Sequence, residues 1–197
     1  MTALVDQIRM ACARTAQATS DFDLNPGIKG GSGTLRQAAV LILISDLGPE
    51  PVVTLTKRSA ALKHHPGQIA FPGGKVDQRD ADVDAAALRE ANEEIGLPLD
   101  GADIIGHLRP HRTVTSFSVE PVVAMLERPF QPVPEPGEVA EVFDVPLAHL
   151  LRPENYVIEG RRWQGQMRRY YAVPYGPYYI WGATARMLRA FAEAWEA

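Results

Sequence analysis

The sequence predicts a mixed α/β (α+β) fold, because three kinds of pattern alternate along it. Short apolar or β-branched runs, Ala38–Ser45 and Val52–Thr56 among them, have the length and residue types of buried strands. The segments Val83–Ile95 and Trp181–Trp195 are Ala-rich with helical periodicity. Gly- and Pro-rich stretches punctuate the chain between them. With 197 residues, 46% hydrophobic and 22% charged, the chain suits one globular domain over 1–197 and is short for two.

Each element follows from local pattern. Leu4, Ile8, Ala11, Cys12 and Thr15 recur at helical spacing and predict a first helix over about 3–18. Asn25 to Gly33 reads as a loop. Ala38–Ser45 is a strand, Leu47–Glu50 a turn, and Val52–Thr56 a strand that should pair with the first. A long Gly/Pro-punctuated segment runs from Arg58 to Gly74. The helix Val83–Ile95 is closed by Gly96 and Pro98, a common C-terminal signal. Ile104–Leu108 and Val119–Leu126 read as further strands, and Pro129–Gly137 as a proline-rich loop. Pro146–Leu151 predicts one short helix, and Tyr156–Ile158 with Arg169–Val173 a hairpin. A last helix over about 181–195 places Ala185, Leu188 and Phe191 on one side. The order of strands in the sheet is not legible from these patterns.

Composition excludes several function classes. A net charge of −4 provides no general basic field, so nucleic acid is not an expected partner. The longest apolar run, Ala38–Ile44, falls far below the ~18 residues of a membrane helix, so no membrane partner is expected. Cys12 stands alone, which excludes an internal disulfide and any thiolate zinc set. Met1–Gln7 lacks the basic and apolar regions of a signal peptide, and the expected location is the cytoplasm.

Acidity is concentrated. Between Asp77 and Leu97 lie Asp77, Asp80, Asp82, Asp84, Glu90, Glu93 and Glu94 against only Arg79 and Arg89, which accounts for the whole net charge. Glu90, Glu93 and Glu94 stand at i, i+3 and i+4, so a helix projects them from one face. Leu88, Ala91 and Ile95 form a separate stripe suited to the core. Like charges at such spacings destabilise an isolated helix by ~0.2–0.5 kcal/mol per pair, which a divalent cation among them would offset. Arg89, four before Glu93, can pair with it. Hard oxygen donors without thiolate or clustered imidazole favour Mg²⁺ or Mn²⁺. Three glutamates on a helix are ordinarily solvated surface, and it is the flanking sequence that argues otherwise.

Arg89-Glu-Ala-Asn-Glu-Glu-Ile-Gly-Leu97 resembles the second half of the Nudix box, R-E-U-x-E-E-x-G-U, with Gly74 as its opening glycine. Two departures lie between these parts: Asp80 stands where the box has Glu, and the loop carries one extra residue before Arg89. Upstream, Leu55-Thr-Lys-Arg58-Ser59 through Lys63, Gly67 and Phe71-Pro-Gly-Gly74 resembles the signature of the coenzyme A pyrophosphatase branch of Nudix hydrolases. Lys63 replaces an arginine of that signature, which keeps the charge and loses the planar fork. The two motifs run without a break over 55–97, and Trp181-Gly-Ala-Thr-Ala is also similar to that branch.

The resemblance implies a Nudix fold, an α/β/α sandwich with a mixed central sheet, and Mg²⁺- or Mn²⁺-dependent hydrolysis of coenzyme A to 3′,5′-ADP and 4′-phosphopantetheine. It implies Glu90 and Glu94 as main metal ligands, Glu93 as a further ligand or holder of metal-bound water, and Arg89 as their orienting partner. Arg58, Lys63, Gln68, Gly73 and Gly74 become the substrate-binding candidates, with the proton acceptor open among Glu90, Glu93, Glu138 and Glu141. Arg58 could instead serve a structural ion pair. His64 and His65 read as loop residues, Arg161, Arg162, Arg168 and Arg169 as solvated hairpin charge with a phosphate contact as the alternative, and the C-terminal tyrosines with Trp181 as core or a subunit contact with an adenine platform as the alternative. Family habit and that tyrosine-rich end suggest a homodimer. Two other functions fit the same box: a Nudix hydrolase for ADP-ribose or a dinucleotide, and a non-catalytic Nudix-fold binding or regulatory module.

Overall fold

The computed structural model describes residues 2–28, 33–163 and 165–196; part of the expected Asn25–Gly33 loop lies outside them. In chain order the elements are α1 (Thr2–Arg14), β1 (Thr19–Ser20), β2 (Arg36–Ser45), β3 (Val52–Arg58), β4 (Ile69–Ala70), β5 (Gly73–Lys75), α2 (Val83–Ile95), β6 (Ala102–His107), β7 (His111–Arg112) and β8 (Phe117–Leu126). There follow β9 (Val139–Pro146), α3 (Leu147–Leu150), β10 (Val157–Trp163), β11 (Gln166–Tyr175), β12 (Tyr178–Trp181) and α4 (Ala183–Glu196).

The apolar run of β2 is buried on both faces and organises the molecule. Alternation turns Ala39, Leu41 and Leu43 toward α2, where they meet the fully buried Ala87, Ala91 and Ile95. Ala38, Ile42 and Ile44 face the opposite layer, which holds Ile8 of α1, Leu188 and Phe191 of α4, and Val173 and Ile180 of the C-terminal strands. The central sheet runs β1-β7-β8-β2-β3-β4, with β5 on β2, β6 on β8 and β9 on β3. β2–β8 and β1–β7 are parallel and the other pairs antiparallel, so the sheet is mixed, as expected. A second sheet, β10-β11-β12, stands beside it. Among the described residues no helix is long and apolar enough to cross a membrane.

Two helix boundaries differ from the sequence reading. The first helix ends at Arg14 rather than near 18. Thr15 turns its hydroxyl back onto the Ala11 carbonyl at 3.1 Å, and Thr19–Ser20 leave to pair with His111–Arg112. The last helix starts at Ala183, because Trp181 is the end of β12 and Gly182, at φ 69°, makes the turn between them. By contrast α2 spans Val83–Ile95 as read. Asp82 caps it by accepting from the Ala85 N–H at 2.9 Å, and Gly96 closes it in the left-handed conformation.

Asn25 joins the N-terminal segment to the second sheet. Its side chain accepts from the Arg169 N–H at 2.8 Å and donates to the Arg169 and Asp21 carbonyls at 2.8 and 3.1 Å, imitating a strand partner for β11. Asn25→Ala leaves these half-buried backbone groups without their partner. The expected cost is about 2 kcal/mol, or roughly 4–8 °C in thermal melting of a chain this size.

Candidate active site

The acidic cluster is assembled by a loop and a helix. Gly73 and Gly74 lie in β5, which pairs with β2 through Ala39↔Gly74 and Val40↔Gly73. Gly73 has φ 152°, and a Cβ there would sit 2.4 Å from the Ala39 carbonyl oxygen. At Gly74 a Cβ would lie 2.4 Å from a Glu90 carboxylate oxygen. Absence of side chains thus lets the first turn of sheet backbone approach the helix carboxylates.

Arg89 organises these acids. Its Nε and Nη2 donate to the two oxygens of Asp80 at 2.8 and 3.0 Å, a bidentate pair, and Nη2 also donates to the Lys75 carbonyl at 3.1 Å. Its Nη1 donates to Glu90 and Glu93, both at 3.0 Å. The extra loop residue is absorbed in a turn in which the Asp80 N–H meets the Asp77 carbonyl and the Asp77 N–H meets the Asp80 carboxylate. That turn aims Asp80 at Arg89. The Arg89 hydrogen bond, helped by the Asp77 N–H, holds the Asp80 carboxyl down at about 2. Arg89 is in turn held more firmly protonated, chiefly by its bond to Asp80. Asp80→Asn is expected to free the guanidinium and lower kcat about 10–100-fold, the usual effect of removing a residue that orients ligands. Steady-state kinetics beside a circular dichroism spectrum check it.

Glu94 is set differently. It is buried, and its carboxylate accepts from the Gly73 N–H at 3.1 Å. Burial pushes its carboxyl up to about 7, against the Gly73 hydrogen bond, and the Glu90 charge adds to the rise. Burial also raises Glu90, in spite of Arg89. Glu93 is exposed. The three glutamates therefore do not stand as a ready cage. Arg89 draws Glu90 and Glu93 together while Glu94 turns to Gly73, and among the described residues no three His, Cys, Asp or Glu side chains have metal-site geometry. The donor chemistry still fits a hard divalent ion. Burial suppresses the ionisation of both Glu90 and Glu94, against Arg89 at the first and Arg58 at the second, and a hard divalent ion would favour their charged forms further.

Of the two distant acids, Glu138 acts electrostatically on both Glu90 and Glu94, whereas Glu141 accepts a 2.6 Å hydrogen bond from the Tyr178 hydroxyl. A cavity of about 700 Å³ opens along the segment before Gly73; Glu90, Glu93 and Glu94 are not among its lining residues. Arg58, Gln68 and Phe71 line it, from the segment that leads into Gly73, and the Arg58 charge favours ionised Glu94. Lys63 is exposed and stands outside the lining.

The NUDIX domain model matches residues 35–164, from the start of β2 into the second sheet and across the whole acidic loop and helix. The chain belongs to the Nudix family. An uncharacterized Nudix hydrolase NudL of Cronobacter sakazakii is 43% identical over 169 residues, which are 86% of this chain and 88% of that protein. The NudL of Citrobacter koseri is 41% identical over the same shares. In fold, the chain is similar to the MutT protein of Methanosarcina mazei Go1, with TM-score 0.53 and 19% identity over 85% of this chain and 96% of that one. The chain is thus a Nudix hydrolase, a class of enzyme acting on pyrophosphate bonds and generally using divalent metals such as Mg²⁺.

Within this Nudix scaffold some site features escaped the sequence reading. Asp80 is the anchor of Arg89, a role that its position in a lengthened loop left open. Thr113–Thr115 line the cavity, as do Arg161, Arg168 and Arg169, for which the sequence had a phosphate contact as the lesser reading, and Tyr170 and Trp181, for which it had an adenine platform as the lesser reading. His65 also lines it, at φ 55° in the turn after Lys63.

Proposed function

We propose that this Nudix hydrolase cleaves the diphosphate of coenzyme A or a coenzyme A derivative, releasing 3′,5′-ADP and 4′-phosphopantetheine. One observation carries the reading. The segment that resembles the coenzyme A branch signature forms a continuous path from the cavity, at Arg58, Gln68 and Phe71, to the Gly73 N–H that holds Glu94. A cavity of about 700 Å³ lies within the ~300–1,000 Å³ common for sites that enclose small ligands.

In this reading Glu90 and Glu94 would hold the divalent ion, with Glu93 beside them. Bound there, the ion supplies neutralisation of non-bridging phosphate oxygens and a more acidic water. Arg89, fixed by Asp80, sets the orientation of Glu90 and Glu93. Gly73 and Gly74 bring the β5 backbone close to β2 and to the Glu90 carboxylate, and Arg58 and Gln68 would contact the substrate from the cavity side. Water attack on phosphorus releases one proton, for which Glu90, Glu93 and Glu138 are the acceptors in reach of the cluster; Glu141 is engaged by Tyr178.

Product analysis with coenzyme A, ADP-ribose and NADH, each with and without Mg²⁺, tests the proposal. The expected result is 3′,5′-ADP and 4′-phosphopantetheine from coenzyme A in the presence of Mg²⁺ only. Preference for ADP-ribose or NADH would replace the substrate, and binding without turnover of any would indicate a regulatory module.

A further inference from the structure

The second sheet has an open edge along β10, and the ladder shows which backbone groups face outward there. Arg169 of β11 stands opposite Gly160, and its N–H and carbonyl are both taken by the Asn25 side chain on the far side of the strand. Gly160 and Arg169 are thus a pair that exchanges no hydrogen bonds. The N–H and carbonyl of Gly160 point away from β11, as do those of Ile158 and Arg162 by alternation. Among the described residues no backbone group bonds them. β10 has neither a bulge nor a proline, devices that ordinarily blunt an edge. Residues 157–162 are all exposed, and so is Met167 across the ladder; Ile158 is 54% open to solvent.

We propose that this edge is a self-association surface, which pairs antiparallel with β10 of a second copy about a two-fold axis at Gly160. The segment Val157-Ile-Glu-Gly-Arg-Arg-Trp163 is complementary to itself in that register. Glu159 faces Arg161 of the partner subunit, and symmetry makes this contact twice. Ile158 faces Arg162 of the partner subunit, whose aliphatic stem can cover it. Ile158, Gly160 and Arg162 exchange six backbone hydrogen bonds across the axis, while Glu159 and Arg161 occupy the alternate pairs, where side chains lie closest. One Glu159 oxygen accepts from the Tyr179 hydroxyl at 2.6 Å, which leaves the other for the guanidinium. Sliding the partner by two residues would set Arg161 against Arg161 or Glu159 against Glu159, so charge selects one alignment and disfavours strands of other sequence. Arg161 also lines the cavity and stands across from Arg168 in its own ladder, so Glu159 of the partner subunit brings a carboxylate to the rim of the cavity.

The pairing holds whichever diphosphate is cleaved, and its test needs no substrate. In sedimentation from about 1 to 100 μM, the wild-type chain should pass from monomer to dimer. Glu159→Arg and Arg161→Glu, each alone, put like charges across the axis twice and should weaken the dimer about tenfold or more. Mixed in equal amounts, the two variants should pair again, since the reversed charges then meet opposite ones. In the wild type, the N–H groups of Ile158, Gly160 and Arg162 should exchange with solvent more slowly as concentration rises, a readout that decides the matter if a variant fails to fold. A monomer throughout, a dimer that either variant leaves intact, a mixture that does not pair, or fast exchange of these three N–H groups in the dimer would each overturn the proposal.

Discussion

Glu94→Gln is expected to lower kcat about 100-fold or more at saturating Mg²⁺, the scale of removing a main electrostatic stabiliser. Glutamine keeps the shape of the side chain, and its amide oxygen can still accept from the Gly73 N–H, so the buried setting survives the change. What is lost is the negative charge that would hold the divalent ion. Thermal melting in the absence of metal serves as the control: an unchanged fold with turnover gone assigns the effect to charge. Unaltered turnover at saturating Mg²⁺ would remove Glu94 from the metal site.

Substitutions at Gly73 and Gly74 should fail in different ways, although the residues are adjacent. A Cβ at Gly73 meets backbone: the Ala39 carbonyl oxygen at 2.4 Å and the Val40 Cα at 2.6 Å, at a φ that L side chains rarely adopt. Neither neighbour can move without disturbing β2. Gly73→Ala is therefore expected to destabilise by about 3 kcal/mol or more, at the upper end for single substitutions, a loss of roughly 6–12 °C in melting temperature. The three atoms nearest a Cβ at Gly74 all belong to the Glu90 carboxylate, the far end of a side chain. Gly74→Ala should melt close to wild type while displacing Glu90 from Arg89, so that turnover falls at least tenfold, as when a ligand loses its orienting contacts. If Gly74→Ala kept full activity, Glu90 would not need the position it holds.

The helix half of the site was legible because its information is local. The stripe of Leu88, Ala91 and Ile95 and the stop at Gly96 are a core face and an end signal within one segment, and α2 has the expected limits. The i, i+3, i+4 spacing likewise puts Glu90, Glu93 and Glu94 on successive turns. Arg89 pairs with Glu93, as that spacing implied. The strand Val139–Pro146 was missed next to a proline-rich loop, although Val139, Val142 and Val145 are β-branched; its hydrogen bonds to β3 define it. Two-residue strands such as Thr19–Ser20 and His111–Arg112 carry no pattern of their own and are defined by their partners, each other and, for His111–Arg112, β8 as well.

By itself the chain determined the mixed α/β class, the α2 helix with its carboxylates, and the glycines that precede them, since these depend on neighbours a few residues apart. Only the tertiary structure decided that Asp80 clamps Arg89, that the three glutamates are divided between a guanidinium and a backbone N–H, and that Arg161, Arg168, Tyr170 and Trp181 share a cavity wall. Those contacts depend on a loop turn and on the register of two ladders, and register is set by how whole strands bury their faces rather than by any one residue.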